Sequence, residues 1–183
     1  MYTEQNIKTD ARTDQQLVKA CLDGNRGAYA ELVRRYQDSV FGLAVGMARN
    51  REDAADMAQE AFIRAYAKLE QYNPDYSFKS WILRICANQT KNLFRKRMRR
   101  RKAEEVHLKA EAVVQATVDP DYQELEAALA QLPASLCAPL RLKHMEGLAY
   151  EEISRVLGIG ISAAKMRVLR ARKQLAEILS NGG

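Results

Sequence analysis

At 183 residues with 47% hydrophobic side chains, the chain holds apolar material for one modest core or two small ones, which excludes full disorder and a multidomain enzyme of ordinary size. With aromatics at 7%, nine Gly and four Pro, the composition is dominated by residues that lose little on entering a helix, so the expectation is an all-α protein. The net charge of +6 resolves into blocks, with residues 1–90 neutral, 91–102 at +8, 103–126 at −6 and 127–183 at +4, so two basic regions that attract a polyanion are parted by one that it repels.

Asp14 is placed to cap a first helix through Leu17, Val18, Cys21 and Leu22, and Gly24 and Gly27 break the chain after it. Ala28, Leu32, Val33, Tyr36, Val40, Phe41, Ala44 and Met47 recur at steps of three and four, which predicts a long amphipathic helix with Arg34, Arg35 and Asp38 outward. A third helix follows Asn50, with Ala54, Ala58, Ala61, Phe62, Ala65 and Leu69 inward and Asp53, Asp56, Gln59, Glu60 and Arg64 outward. Gln71 to Asp75, with Pro74, reads as a loop. Ser77 then caps a fourth helix with Trp81, Ile82, Ile85 and Leu93 as its apolar positions. That helix runs into KNLFRKRMRRRK, Lys91 to Lys102, which has no acidic residue to pair at i+4, as a merely solvated helix usually has.

Residues 103–120 are acidic, poor in aromatics and closed by Asp119-Pro120, and read as a flexible tether. The layout is therefore two small helical domains, residues 14–102 and 121–180, joined by that linker. In the second, Leu125, Leu129 and Leu132 mark a helix stopped by Pro133, Leu136, Leu140 and Leu142 one stopped at Gly147, and Tyr150, Ile153, Val156 and Leu157 a third ended by Gly158. A last helix from about Ser162 to Leu179 carries Lys165, Arg167, Arg170, Arg172 and Lys173 around a stripe of Val168, Leu169, Leu175 and Ile178. Helix, short Gly-containing turn and second helix with basic side chains near its start fit a helix-turn-helix, in which Lys165 and Arg167 are the first residues expected on DNA.

Enzyme chemistry has little support. No G-x-x-x-x-G-K-[ST] loop, H-E-x-x-H pair or G-x-S-x-G elbow occurs, and Asp53, Asp56 and Glu60 have no histidine nearby, so no metal or cofactor is expected. Cys21, Cys86 and Cys137 form no C-x-x-C pair and suggest neither a disulfide framework nor a zinc site. No apolar run approaches the length of a membrane span, and MYTEQNIKTDAR lacks the apolar stretch of a secretion signal, so a cytoplasmic location is expected.

Together, DAADMAQEAFIRAYAKLEQY, FKSWILRICANQTKN and LPASLCAPLRLKHMEGLAYEEISRVLGIGISAAKMRVLRARKQL resemble the extracytoplasmic function (group IV) sigma factors of bacterial RNA polymerase, within the sigma-70 family, over residues 14–180. The resemblance implies a two-domain adaptor without catalytic activity, a sigma2-like domain that melts and reads the −10 promoter element and a sigma4-like domain that reads the −35 element. By position it implies that Asp53, Asp56, Gln59 and Glu60 dock on the β′ clamp helices of the polymerase core, with the β flap as the second domain's contact. It implies that Tyr76, Ser77, Phe78, Lys79, Trp81 and Asn88 trap an unpaired −10 base, the Trp81 ring mostly buried in support. Lys91 and Arg95, in the basic block, would follow the duplex backbone upstream. The −35 contacts fall on Ser162, Ala163, Lys165, Met166, Arg167 and Arg170.

Here the chain departs from its relatives, which commonly carry Thr at Ala163, Ser at Met166, and Ser or Pro at Gly160; Pro139 also falls inside a helix, where it removes a backbone donor. The acidic linker corresponds to the segment relatives thread near the RNA exit path, where its charge would mimic nucleic acid. An anti-sigma protein is the further partner implied, and the free chain is expected to be monomeric, with domains that move independently until polymerase sets their spacing. The alternative is a helix-turn-helix regulator whose first domain senses a ligand or partner and never binds polymerase core.

Overall fold

In the computed structural model, the described residues are 12–48, 50–103 and 120–181, and among them every regular element is helical. The helices are α1 (Asp14–Leu22), α2 (Arg26–Ala48), α3 (Arg51–Ala67), α4 (Phe78–Ala103), α5 (Pro120–Gln131), α6 (Ala134–His144), α7 (Tyr150–Leu157) and α8 (Ile161–Asn181), with a 3₁₀ turn at Leu69–Gln71. The acidic linker expected at 103–120 lies, but for its end residues, outside the described part. So do the side chains of the basic block, including Lys91 and Arg95, although the backbone of α4 runs through them.

Local chemistry explains where the helices begin and end. The cap of α1 is Thr13 and not Asp14. The Thr13 hydroxyl accepts from the Gln16 amide at 3.3 Å while the Gln16 side chain accepts from the Thr13 amide at 2.8 Å, a reciprocal pairing open to Thr with Gln three residues on. Asp14 is thereby freed to accept from Arg35, at 3.0 Å, and from the Tyr36 hydroxyl, which fasten α1 onto α2. Arg35, expected outward, is thus half-buried between Asp14 and Glu31. Asn50 caps α3 by accepting from the Glu52 and Asp53 amides at 2.8 and 3.3 Å. Ser77 caps α4 through the Ser80 amide at 3.2 Å. Gly158 ends α7 at φ 60°, a left-handed conformation that suits glycine.

In the first half, α2, α3 and α4 pack together with α1 laid across α2, burying Leu17, Leu32, Val40, Leu43, Ile82 and Leu83. In the second half, α5 to α8 close over Leu129, Leu132, Cys137, Leu140, Val168 and Ala171. Pro139 is accommodated within α6 and buried.

The two halves are packed together, through α6 on α2 and α7 on α4. Leu142, Leu148, Ile153 and Val156 belong to the same buried cluster as Val40, Leu43 and Ala44. The approach is close at Gly46, where a Cβ would lie 2.9 Å from Arg141 Cδ and 3.2 Å from Cys137 Sγ, both on α6. A helical glycine costs about 1 kcal/mol relative to alanine, and here it lets two helix backbones approach.

Candidate nucleic-acid interface

The third helix presents an outer face set by the helical repeat. Asp56 and Gln59 are exposed, Asp53 and Glu60 half-exposed, and Glu60 is paired with Arg64 at 2.5 Å. Ile63 is 56% exposed and Tyr66 47% exposed on the same side. Neither belongs to the apolar stripe or to the polar set expected on this helix. The signal was present, since Ile63 lies four residues past Gln59 and three past Glu60, which places it on the acidic face. An acidic rim with an apolar centre is the composition of a protein-docking patch.

The start of α4 and the loop before it form the second surface. The Asn73 side chain accepts from the Asp75 amide at 2.9 Å and the Tyr72 hydroxyl donates to the Tyr76 carbonyl at 2.7 Å, so the turn is held from both ends. Tyr76 is 48% exposed, with the Arg155 guanidinium 5.2 Å from its ring centroid. Ser77 and Asn88 are exposed and Lys79 is half-buried. Phe78 does not face outward with them. It is 1% exposed at the centre of an aromatic cluster with Tyr36, Tyr72 and Trp81, whose ring centroids lie 5.4–5.5 Å from it or from one another. As the first residue of α4 it falls on the side turned toward the core, so its place is beneath the loop. Trp81 is half-buried in this cluster. Tyr36 and Tyr72 have phenols pushed above the ordinary range, first by burial and then by the Asp14 carboxylate, and stay neutral.

Two glutamates of the second half reach this surface. Glu146 pairs with Lys79 at 2.7 Å and accepts from Ser39 at 2.7 Å, and Lys79 also donates to the Glu146 carbonyl at 3.0 Å. The Ser77 hydroxyl donates to Ser80 at 2.8 Å, and Ser80 donates to Glu152 at 2.7 Å. Glu152 also accepts from the Ala149 amide at 3.0 Å. Burial alone would raise the Glu152 pKa, but the Ser80 and Ala149 hydrogen bonds and the Arg155 charge outweigh it and hold this carboxyl below its usual range.

On α8 the buried positions are Ala164, Val168 and Ala171. Ser162, Lys165, Met166 and Arg170 are exposed, and Ala163 and Arg167 lie half-buried at the flanks. Leu169, assigned above to the apolar stripe, is 60% exposed and stands beside Lys165 and Met166. One helical step separates it from Val168, about 100° of rotation, enough to leave the core. The Lys165 ammonium sits 5.7 Å from the Tyr150 ring centroid.

Cys21, Cys86 and Cys137 are buried, and burial pushes the Cys86 thiol up to about 12. Among the described residues no helix is long and apolar enough to cross a membrane, and no group of three or more His, Cys, Asp or Glu is placed to hold a metal ion.

Comparison with known proteins bears on both halves. The family model for Sigma-70 region 2 matches residues 32–100 and that for Sigma-70, region 4 matches residues 122–175. The chain is 33% identical to the RNA polymerase sigma-H factor of Pseudomonas aeruginosa, covering 91% of this chain and 93% of that one. It is 32% identical to the ECF RNA polymerase sigma-E factor of Haemophilus influenzae, covering 89% and 93%. Among solved structures, the sigma factor RpoE in complex with the anti-sigma factor NepR from Bartonella quintana aligns with a TM-score of 0.74 and 25% identity over 83% of this chain and 96% of that one. CnrH, solved in complex with the cytosolic domain of CnrY, shares the fold with a TM-score of 0.64 and 23% identity over 93% and 99%. With region 2 matched in the first half, a sensor domain has no place there. The chain belongs to the sigma-70 family as an extracytoplasmic-function RNA polymerase sigma factor, a non-enzymatic subunit that directs core polymerase to promoters by −10 melting and −35 recognition.

Proposed function

We propose that the surfaces described above divide the work of promoter recognition as follows. The outer face of α3, with Asp53, Asp56, Gln59 and Glu60 around Ile63 and Tyr66, docks on the β′ clamp helices of core polymerase, and the second domain engages the β flap. Tyr76, Ser77, Lys79 and Asn88 meet the unpaired −10 strand, with Phe78 and Trp81 holding the loop from below. A base leaving the stack loses a few kcal/mol and needs an aromatic face and hydrogen-bonding groups in return. Lys91 and Arg95 follow the upstream phosphates, which position the protein without specifying sequence.

On α8, Ser162, Lys165, Arg167 and Arg170 hold phosphates and base edges of the −35 element, while Met166 and Leu169 offer apolar contact to thymine methyl groups. Ala163 sits at the flank of this surface. The working layout is residues 14–102 for the first domain, 103–120 for the linker and 121–180 for the second domain. The protein acts in the cytoplasm, is monomeric when free, and is held in check by an anti-sigma protein. The likeness to RpoE, solved with NepR, supports that last partner.

The observation that carries this reading is the acidic outer face of α3 in a chain of net charge +6, with Ile63 exposed at its centre. Exchanging Asp56, Gln59 and Glu60 together for Lys is expected to abolish copurification with core polymerase while the purified protein stays folded. Unchanged copurification overturns the docking assignment.

A further inference from the structure

We infer that Gln15, on α1, is a positioning residue for −10 strand capture, its side chain fixing the turn that presents Tyr76. The inference rests on the proposal that the loop before α4 meets the unpaired strand, and it brings in a helix that lies outside residues 32–100, the part matched by the region 2 family model.

The loop is a β-turn closed by the Tyr76 amide, which donates to the Asn73 carbonyl at 3.2 Å. Asn at the first position and Pro at the second suit such a turn, but they leave its central peptide, between Pro74 and Asp75, two orientations. Type I and type II turns differ by a flip of that one peptide, and proline fixes φ without fixing ψ. Here both polar groups of the peptide are held. Its N–H, from Asp75, donates to the Asn73 side chain at 2.9 Å, and its carbonyl, from Pro74, accepts from the Gln15 side chain at 3.0 Å. The first partner is local. The second comes from 59 residues away, on a different helix. A flip would break both bonds and redirect the chain where it enters Tyr76.

The helix that carries Gln15 is itself well anchored. Leu17, Val18 and Cys21 bury its inner face, and Asp14 accepts from Arg35 at 3.0 Å and from the Tyr36 hydroxyl. The Tyr36 ring lies 5.5 Å from that of Phe78, and Phe78 lies 5.5 Å from Tyr72, whose hydroxyl donates to the Tyr76 carbonyl at 2.7 Å. Adjacent residues of α1 thus reach the loop by two routes, Gln15 at its tip and Asp14 through the aromatic floor. Gln15 is exposed, so losing its side chain frees the turn without opening the core. A turn held in place before the base arrives spares the ordering cost that a mobile one meets at capture.

The test uses holoenzyme assembled from the full chain and core polymerase on a promoter located by mapping RNA start points, with 2-aminopurine replacing −10 adenines to report unstacking. Gln15→Met keeps the length and neutrality of the side chain and removes its donor. It is expected to slow the fluorescence rise about fivefold, the worth of one exposed neutral hydrogen bond, while the urea midpoint and copurification with core polymerase stay as in the parent. Tyr76→Ala is expected to slow the rise further, and adding Gln15→Met to it is expected to cost nothing more, because Gln15 acts through the ring. An unchanged rise in Gln15→Met beside a slowed one in Tyr76→Ala overturns the positioning role. A lowered urea midpoint or weaker copurification in Gln15→Met overturns it in favour of a structural one. Losses that multiply in the double variant, or a loss in Gln15→Met with none in Tyr76→Ala, overturn it by placing the action of Gln15 elsewhere. An unchanged rise in both single variants overturns the assignment of the loop to the −10 strand, and the inference with it.

Discussion

Ser80, in the first turn of α4, donates a 2.7 Å hydrogen bond to Glu152 in the first turn of α7, so the helix that begins the proposed −10 reading surface is tied to the helix that precedes the proposed −35 recognition helix. Glu152 has a carboxyl held below its ordinary pKa in the folded protein. A depressed folded pKa gives stability that is fully present above the unfolded pKa, about 4.3 for Glu, and is lost as pH falls through the folded value. Lowering the pH from 7 to below about 4 is therefore expected to loosen the contact of α7 with α4. Dye-pair energy transfer between the domains, followed over that range, checks this. In Glu152→Gln the part of the transition due to this group is expected to vanish.

Phe78 and Tyr76 are two residues apart and predict opposite phenotypes. Phe78 is 1% exposed, and truncating a buried aromatic to Ala costs about 3–5 kcal/mol, so Phe78→Ala is expected to lower the urea midpoint sharply. Tyr76 is 48% exposed, and Tyr76→Ala is expected to leave that midpoint nearly unchanged while reducing open-complex formation. Urea titration followed by circular dichroism, with permanganate footprinting of melted promoter, separates the two.

Ile63 is 56% exposed amid acidic and polar side chains, so folding gains little from burying it. Its replacement by Ser is expected to leave thermal stability unchanged and to weaken binding to core polymerase about tenfold, the scale of a modest interface anchor. Competition binding against an unmodified copy of the chain reads the effect.

Met166 and Leu169 are 48% and 60% exposed on α8, where they are proposed to contact thymine methyl groups. At a promoter located by mapping RNA start points, replacing thymine by uracil in the −35 element removes a single methyl per base. One buried methyl is worth about 0.8 kcal/mol, roughly fourfold in affinity. The parent protein is expected to lose about that much on the uracil promoter, and Met166→Ala with Leu169→Ala is expected to be indifferent to the change. Equal losses in both remove these side chains from −35 readout.

The local code of this chain is largely legible. Steps of three and four place α2, α3 and α8, Asn50 and Ser77 cap their helices, and Gly158 ends α7, because such features depend on neighbours within one or two turns. The faces proposed for docking and recognition follow from the same period. Where local rules compete, the reading slips by one position. Thr13 takes the cap expected of Asp14 because Gln16 can answer it, and Leu169 leaves the stripe because its neighbour Val168 already fills the inward position.

What the amino-acid order determined by itself is a set of helices, their ends and the faces they turn outward. What tertiary structure alone decided is which of those faces stays open: Phe78 goes beneath the loop, Gly46 receives α6, and Glu146 and Glu152 come to rest on Ser39, Lys79 and Ser80. These partners are 67 to 107 residues apart in the chain. No helical period carries information over such separations, and contacts of this kind form only when two completed surfaces match in shape and charge.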